Sequence, residues 1–127
     1  MSDIQSGLIL VREQPAQPVL TARLGYAWAD RPASASYQPP ADYTFNSAGG
    51  PITVKRQGTG RYTIRFAGLG GNGRAGGHVE VTSYGPGSER CTIGSWSSDA
   101  ADFVANVLCF DTTGSAIDAR YTVLVRW

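Results

Sequence analysis

The segments ERCTIGSW (residues 89–96) and DFVANVLCF (residues 102–110) decide the fold, because they can be laid against each other as an antiparallel hairpin. Directly opposed residues in such a pair have a constant index sum, and side chains alternate between faces. With a short loop at Asp99–Ala101, Cys91 opposes Cys109, Ile93 opposes Val107, Ser95 opposes Ala105 and Trp96 opposes Val104. One face then carries Cys91, Ile93, Phe103, Ala105, Val107 and Cys109, and the other Thr92, Trp96, Asn106, Leu108 and Phe110. Only the first face is wholly apolar. A slip of one residue would turn one strand's buried set to solvent, so burial fixes this register. The facing sulfurs of Cys91 and Cys109 suit a disulfide or two thiols buried as small hydrophobes, and redox compartment decides between these.

Outward from the hairpin, short runs of period-two alternation recur between Gly, Pro, Asn and Ser, and no window sustains the spacing of an amphipathic helix. GLILVR (7–12) reads as a first strand, broken by QPAQP (14–18) because proline removes a ladder donor. In VLTARLGYAWA (19–29), Leu24, Tyr26 and Trp28 alternate with Gly25, Ala27 and Ala29, and the small residues mark a surface covered by other backbone. DRPASASYQPPA (30–41) is long for a loop and so a candidate functional segment.

DYTFNS (42–47) is a short strand, and PITVKR (51–56) with GRYTIRFAGL (60–69) forms a hairpin across Gln57–Gly60. HVEVTSY (78–84) places Val79 and Val81 inward and His78, Glu80, Thr82 and Tyr84 outward. RYTVLVRW (120–127) is a closing strand of the kind that inserts between earlier ones. Eight or nine short strands predict an all-β fold, a two-sheet antiparallel sandwich of jelly-roll type. Residues 1–24 then form an N-terminal strand and proline-rich connection, and residues 25–127 a single sandwich domain.

At 127 residues, one domain buries roughly two thirds of its unfolded surface without metals. Eleven basic and ten acidic residues give a formal charge of +1 with no run of like charge, so the electrostatic footprint for nucleic acid or an anionic membrane is missing. No apolar stretch approaches the length of a membrane span. The opening residues lack the pattern of a signal peptide, which leaves a cytosolic chain or one that begins after a removed signal, with a secreted or cell-surface location preferred.

Gly71, Gly73 and Gly76 spell the G-x-G-x-x-G string of dinucleotide folds, but that string works through a following helix N-terminus, and here a strand follows. A flexible inter-strand loop is expected instead. One histidine offers no imidazole pair for zinc and two cysteines alone fall short of a tetrahedral set, so neither a zinc site nor a cofactor is expected. His78 and Glu80 share a strand face and read as solvated surface rather than a base with its orienting acid. Asp99, Asp102, Asp111 and Asp118 fall near loops at opposite ends of one strand and read as turn formers, not a calcium cage.

The remaining signal is aromatic: Tyr26, Trp28, Tyr37, Tyr43, Tyr84, Trp96 and Trp127. Such rings beside polar groups equip sugar and peptide sites, although a sandwich assigns most of them to its core. Trp96 is the best exposed candidate, since the register sets it opposite the cysteine face. Tyr37, in the long loop, joins it, with His78 and Arg65 as outward-facing polar candidates.

Taken together, GYAWA (25–29), YTFNSAGG (43–50), ITVKRQGTGRYTIRFAGL (52–69), HVEVTSYG (78–85), the Cys91–Trp96 segment, VLCF (107–110) and the spacing of Gly114, Asp118 and Tyr121 resemble a bacterial β-repeat of GC-rich, actinobacterial-type genomes. The likeness covers residues 25–127. That repeat often occurs in tandem copies, and the resemblance implies a scaffold rather than a chemistry, with no catalytic residues to carry over; a single copy here favours an oligomer with its own N-terminal strand. GTGRYTIRF (58–66) also resembles, more faintly, the middle of trimeric C1q-like jelly rolls.

The expected function is a non-catalytic binding or structural module with a carbohydrate or protein ligand. A lectin using Trp96 or Tyr37 and a hydrolase centred on His78 are the alternatives. Long apolar terminal strands in need of partners point to a homo-oligomer.

Overall fold

Alternating side chains commit this chain to strands, and the computed structural model, which describes residues 23–127, contains nine of them. They are β1 (Leu24–Ala29), β2 (Ser36–Tyr37), β3 (Thr44–Asn46), β4 (Ile52–Gly58), β5 (Arg61–Phe66), β6 (His78–Tyr84), β7 (Arg90–Ser97), β8 (Phe103–Phe110) and β9 (Arg120–Arg126). One 3-10 turn, Ala41–Tyr43, precedes β3. The first sheet has the order β3-β1-β9-β6 and the second the order β2-β4-β5-β8-β7, with every pairing antiparallel. The two sheets pack face to face as an all-β sandwich. The strand read at residues 7–12 and the proline break at 14–18 lie outside the described residues.

The dry layer follows from the period of two. Val54 from β4, Ile64 and Phe66 from β5, and Phe103, Ala105, Val107 and Cys109 from β8 are all fully buried. From the other sheet, Ala27, Ala29, Tyr121, Val123 and Val125 meet them. Small side chains on β1 are needed because the sheets approach closely there: a Cβ on Gly25 would lie 2.7 Å from the Phe66 ring. As the sequence suggested, β9 inserts centrally, pairing Val123 with Ala27 on one side and Val81 on the other. Both edges of the C-terminal strand are therefore satisfied within the chain, which removes its share of the argument for self-association.

In the cysteine hairpin, Cys91 opposes Cys109 and Ile93 opposes Val107, and the sulfurs form a disulfide. Cys109 donates its amide to Gly60 O at 2.8 Å and accepts the Ile117 amide at 3.1 Å, so its ladder groups point away from Cys91. That makes the cysteines a non-hydrogen-bonded pair, the closer-spaced kind, with Cα atoms 4.0 Å apart.

Beyond Ile93 the uniform register fails. Gly94 is an extra residue, a β-bulge, so Ser95 opposes Asn106 and Trp96 opposes Ala105, not Ala105 and Val104. Glycine suits the bulge because a Cβ there would press against Leu108 at 3.1 Å. The extra residue moves Trp96 from the outer face to the cysteine side, where its Nε1 donates to Gly76 O at 3.2 Å.

The glycine-rich stretch is a loop leading into a strand, yet it is not free of partners. Amides of Gly70, Gly71 and Asn72 donate to Ala101, Ser98 and Ala100 carbonyls. A Cβ on Gly70 would overlap Ala100 O. These glycines permit backbone to dock on backbone, with no phosphate required.

Candidate functional site

Burial of Gly25, Ala27 and Ala29 forces their neighbours outward, so β1 presents Tyr26 and Trp28 on the outer face of the four-stranded sheet. Both rings are 41% exposed. Pairing with β3 sets Phe45 opposite Tyr26, and their rings stack with centroids 6.0 Å apart. The 3-10 turn delivers Tyr43 to Trp28, stacked at 5.1 Å. On the far side of Trp28, Tyr84 of β6 packs tilted at 5.2 Å. Five aromatic side chains thus line one exterior surface.

Register fills the rest of that surface with polar groups and one leucine. Tyr26 is followed across the sheet by Leu124 and Glu80, and Trp28 by Thr122 and Thr82. Between these rows lies a shallow depression of about 340 Å³, lined by Tyr26, Trp28, Glu80, Thr82, Thr122 and Leu124. His78 Nε2 and Glu80 Oε2 meet at 2.9 Å at its rim, both side chains about 60% exposed. Arg126 opposes His78, and Arg120 opposes Tyr84. Partial burial, reinforced by the charge of Asp30, pushes the Tyr84 hydroxyl above its ordinary pKa, so the ring stays neutral.

The outer face of the five-stranded sheet differs. Gln57 Nε2 donates to Thr63 Oγ1 at 3.2 Å, Thr63 Oγ1 to Asn106 Oδ1 at 3.0 Å, and Asn106 Nδ2 to Ser95 Oγ at 2.9 Å. This ladder crosses four strands and spends its polar groups on itself. Arg65, on this face, is tied to Asp102 at 2.9 Å; Arg56, which opposes the buried Tyr62 on the other side of the sheet, is tied to Asp118 at 3.0 Å. A second groove, beside Phe45, is walled by Asn46, whose amide already bonds Gly50 O, Ala67 O and the Ala48 amide.

The residues singled out from sequence do not converge. Tyr37 sits on β2 and Trp96 on β7, opposite edges of the five-stranded sheet; Arg65 lies on β5 between them, and His78 belongs to the other sheet. Tyr37 packs against the core and accepts the Arg31 amide at 3.2 Å, so it pins the 30–41 loop. Trp96 is 45% exposed but anchors Gly76. His78 hydrogen-bonds Glu80, and no further side-chain partner of its ring occurs among the described residues. The four aspartates are separated: Asp102 holds the Gly68 amide, Asp118 the Gly60 amide, Asp111 the Thr113 and Ser115 amides, and Asp99 accepts from Ser97. No group of three metal-binding side chains comes together among the described residues, and no helix there is long and apolar enough to cross a membrane.

The face that does emerge includes Phe45, which sequence reasoning passed over, and Tyr26, Trp28 and Tyr43, which it left undivided between core and surface. The signal was the alternation of Gly25, Ala27 and Ala29: if small residues are covered, the large ones between them are not. No family model, curated protein or solved structure matches this chain.

Proposed function

We propose that the protein is a non-catalytic binding module whose ligand surface is the outer face of the four-stranded sheet. One observation carries this reading: Tyr26, Trp28, Tyr43, Phe45 and Tyr84 gather on the outer face of a sheet whose other side packs into the core. Large rings exposed together cost solvation, and such patches on a folded domain mark interaction sites. Amphipathic rings beside threonine hydroxyls and a carboxylate offer stacking and hydrogen bonds at once. Residues 25–127 serve, on this reading, as one copy of the scaffold-type β-repeat they resemble.

Catalysis by His78 lacks support in the arrangement. Its partner Glu80 is equally solvated, and among the described residues the His78 ring has no other side-chain hydrogen-bond partner. The test is a glycan and peptide array probed with the wild-type chain and with Trp28→Ala. Ligands retained by the first and lost by the second support the reading. Ligands held equally by both place the binding surface elsewhere, and substrate turnover that disappears in His78→Ala restores the enzyme reading.

A further inference from the structure

We infer that this aromatic face binds an extended chain of neutral pyranose sugars, with Trp28 and Tyr26 as successive stacking platforms; the inference rests on the binding-module reading above and names its ligand. Trp28 and Tyr26 are two residues apart on one strand, which sets their side chains roughly 6.6 Å apart along β1. Tyr43 stacks on Trp28 and Phe45 on Tyr26, so each platform is a braced pair of rings and the two pairs follow one another along β1. The C–H faces of pyranose rings are apolar and their rims are hydroxyls. Rings capped by flanking hydroxyl and carboxylate groups match both parts, and Thr82, Thr122 and Glu80 supply those groups beside the strip.

Charge selects a neutral chain. Arg120 and Arg126 on the face are offset by Glu80 and by Asp30, whose charge acts on Tyr84 at the corner. Lys55 faces outward on β4 in the other sheet. An acidic or sulfated chain would find no net positive surface here. Shape selects an extended one, since the depression is shallow and open and encloses no sugar end. A second copy of the chain fits the face poorly, because Glu80 lines the depression itself with its carboxylate exposed and interface cores are depleted of charge.

The test is isothermal titration of the full chain with cello- and xylo-oligosaccharides, a polyuronate and an aromatic-rich peptide pool, with light scattering in parallel. Wild type is compared with Trp28→Ala, Tyr26→Ala and the opposite-face variant Arg61→Ala, each checked for a native thermal melt; two platform variants guard against one failing to fold. Binding of a neutral oligosaccharide that weakens at least tenfold in both platform variants, and is unchanged in Arg61→Ala, is the expected result. Neutral sugars bound equally by all variants, or not bound at all, overturn the inference. If only the polyuronate or peptide binds and the platform variants abolish it, the ligand assignment falls while the binding face stands. A concentration-dependent dimer lost in Trp28→Ala also overturns it, because a second copy would then cover the strip.

Discussion

Asp118 accepts the backbone amide of Gly60 at 2.9 Å, across a separation of 58 residues. The same carboxylate takes both its oxygens to Arg56 Nε, at 3.1 and 3.0 Å, so one side chain ties the β4–β5 turn to the segment entering β9. Gly60 has no room for a side chain at this junction: its φ is +66°, and a Cβ would lie 2.6 Å from Cys109 O and 2.8 Å from the Ile117 amide. Gly60→Ala should therefore destabilise the protein by at least about 3 kcal/mol, measured by urea unfolding. A loss within the ordinary surface range would show that this junction can relax.

Acid should weaken the fold through Asp118 and Asp102. Burial works against the charged form of Asp118, but the Arg56 guanidinium and Gly60 amide prevail and hold it below the usual carboxylate range. The Gly68 amide and then Arg65 do the same for Asp102. A folded-state pKa below the unfolded value of about 3.9 means the stabilisation is present above that pH and is lost as pH falls through the lowered values. Unfolding midpoints should thus hold from neutral pH to about pH 5 and then decline, less steeply in Asp102→Asn. An equal decline in that variant would remove Asp102 from the account.

The Cys91–Cys109 bond closes a loop of 18 residues. In the chain-entropy description it contributes about 3 kcal/mol, so reduction should lower stability by that order without unfolding the sandwich. Cys109 remains a buried apolar group when reduced, and the surrounding register is held by burial. Loss of all strand signal on reduction would show the core insufficient alone.

Trp96→Phe keeps an aromatic ring, though a smaller one, and removes the Nε1 donor to Gly76 O. The expected loss is about 1 kcal/mol, with faster hydrogen exchange at the Gly71 and Asn72 amides, which dock against Ser98 and Ala100. Unchanged exchange there would mean that Ser98, which also bonds Gly76 O, holds the loop unaided.

Period-two alternation made much of this architecture readable in advance. Tyr62, Ile64 and Phe66, or Tyr121, Val123 and Val125, declare a buried face without reference to anything else. The cysteine pair fixed the hairpin register for the same reason. Its failure at Gly94 is instructive, because a bulge inserts a residue without altering the apolar count: Ser95 and Trp96 exchange faces at little hydrophobic cost. The aromatic face was hidden by a different cause. An aromatic residue is equally suited to core and surface, so Tyr26 and Phe45 become one exposed patch only when pairing of β1 with β3 brings them side by side. Nothing local to either strand records that pairing.

Chemical-shift mapping of the isotopically labelled protein during titration with xylo- or cello-oligosaccharide tests the central claim most directly. The account predicts perturbations confined to β1, β3, β6 and β9, centred on Tyr26, Trp28, Phe45, Thr82 and Thr122. Perturbations centred instead on Thr63, Ser95 and Asn106, across the outer face of the other sheet, would contradict it.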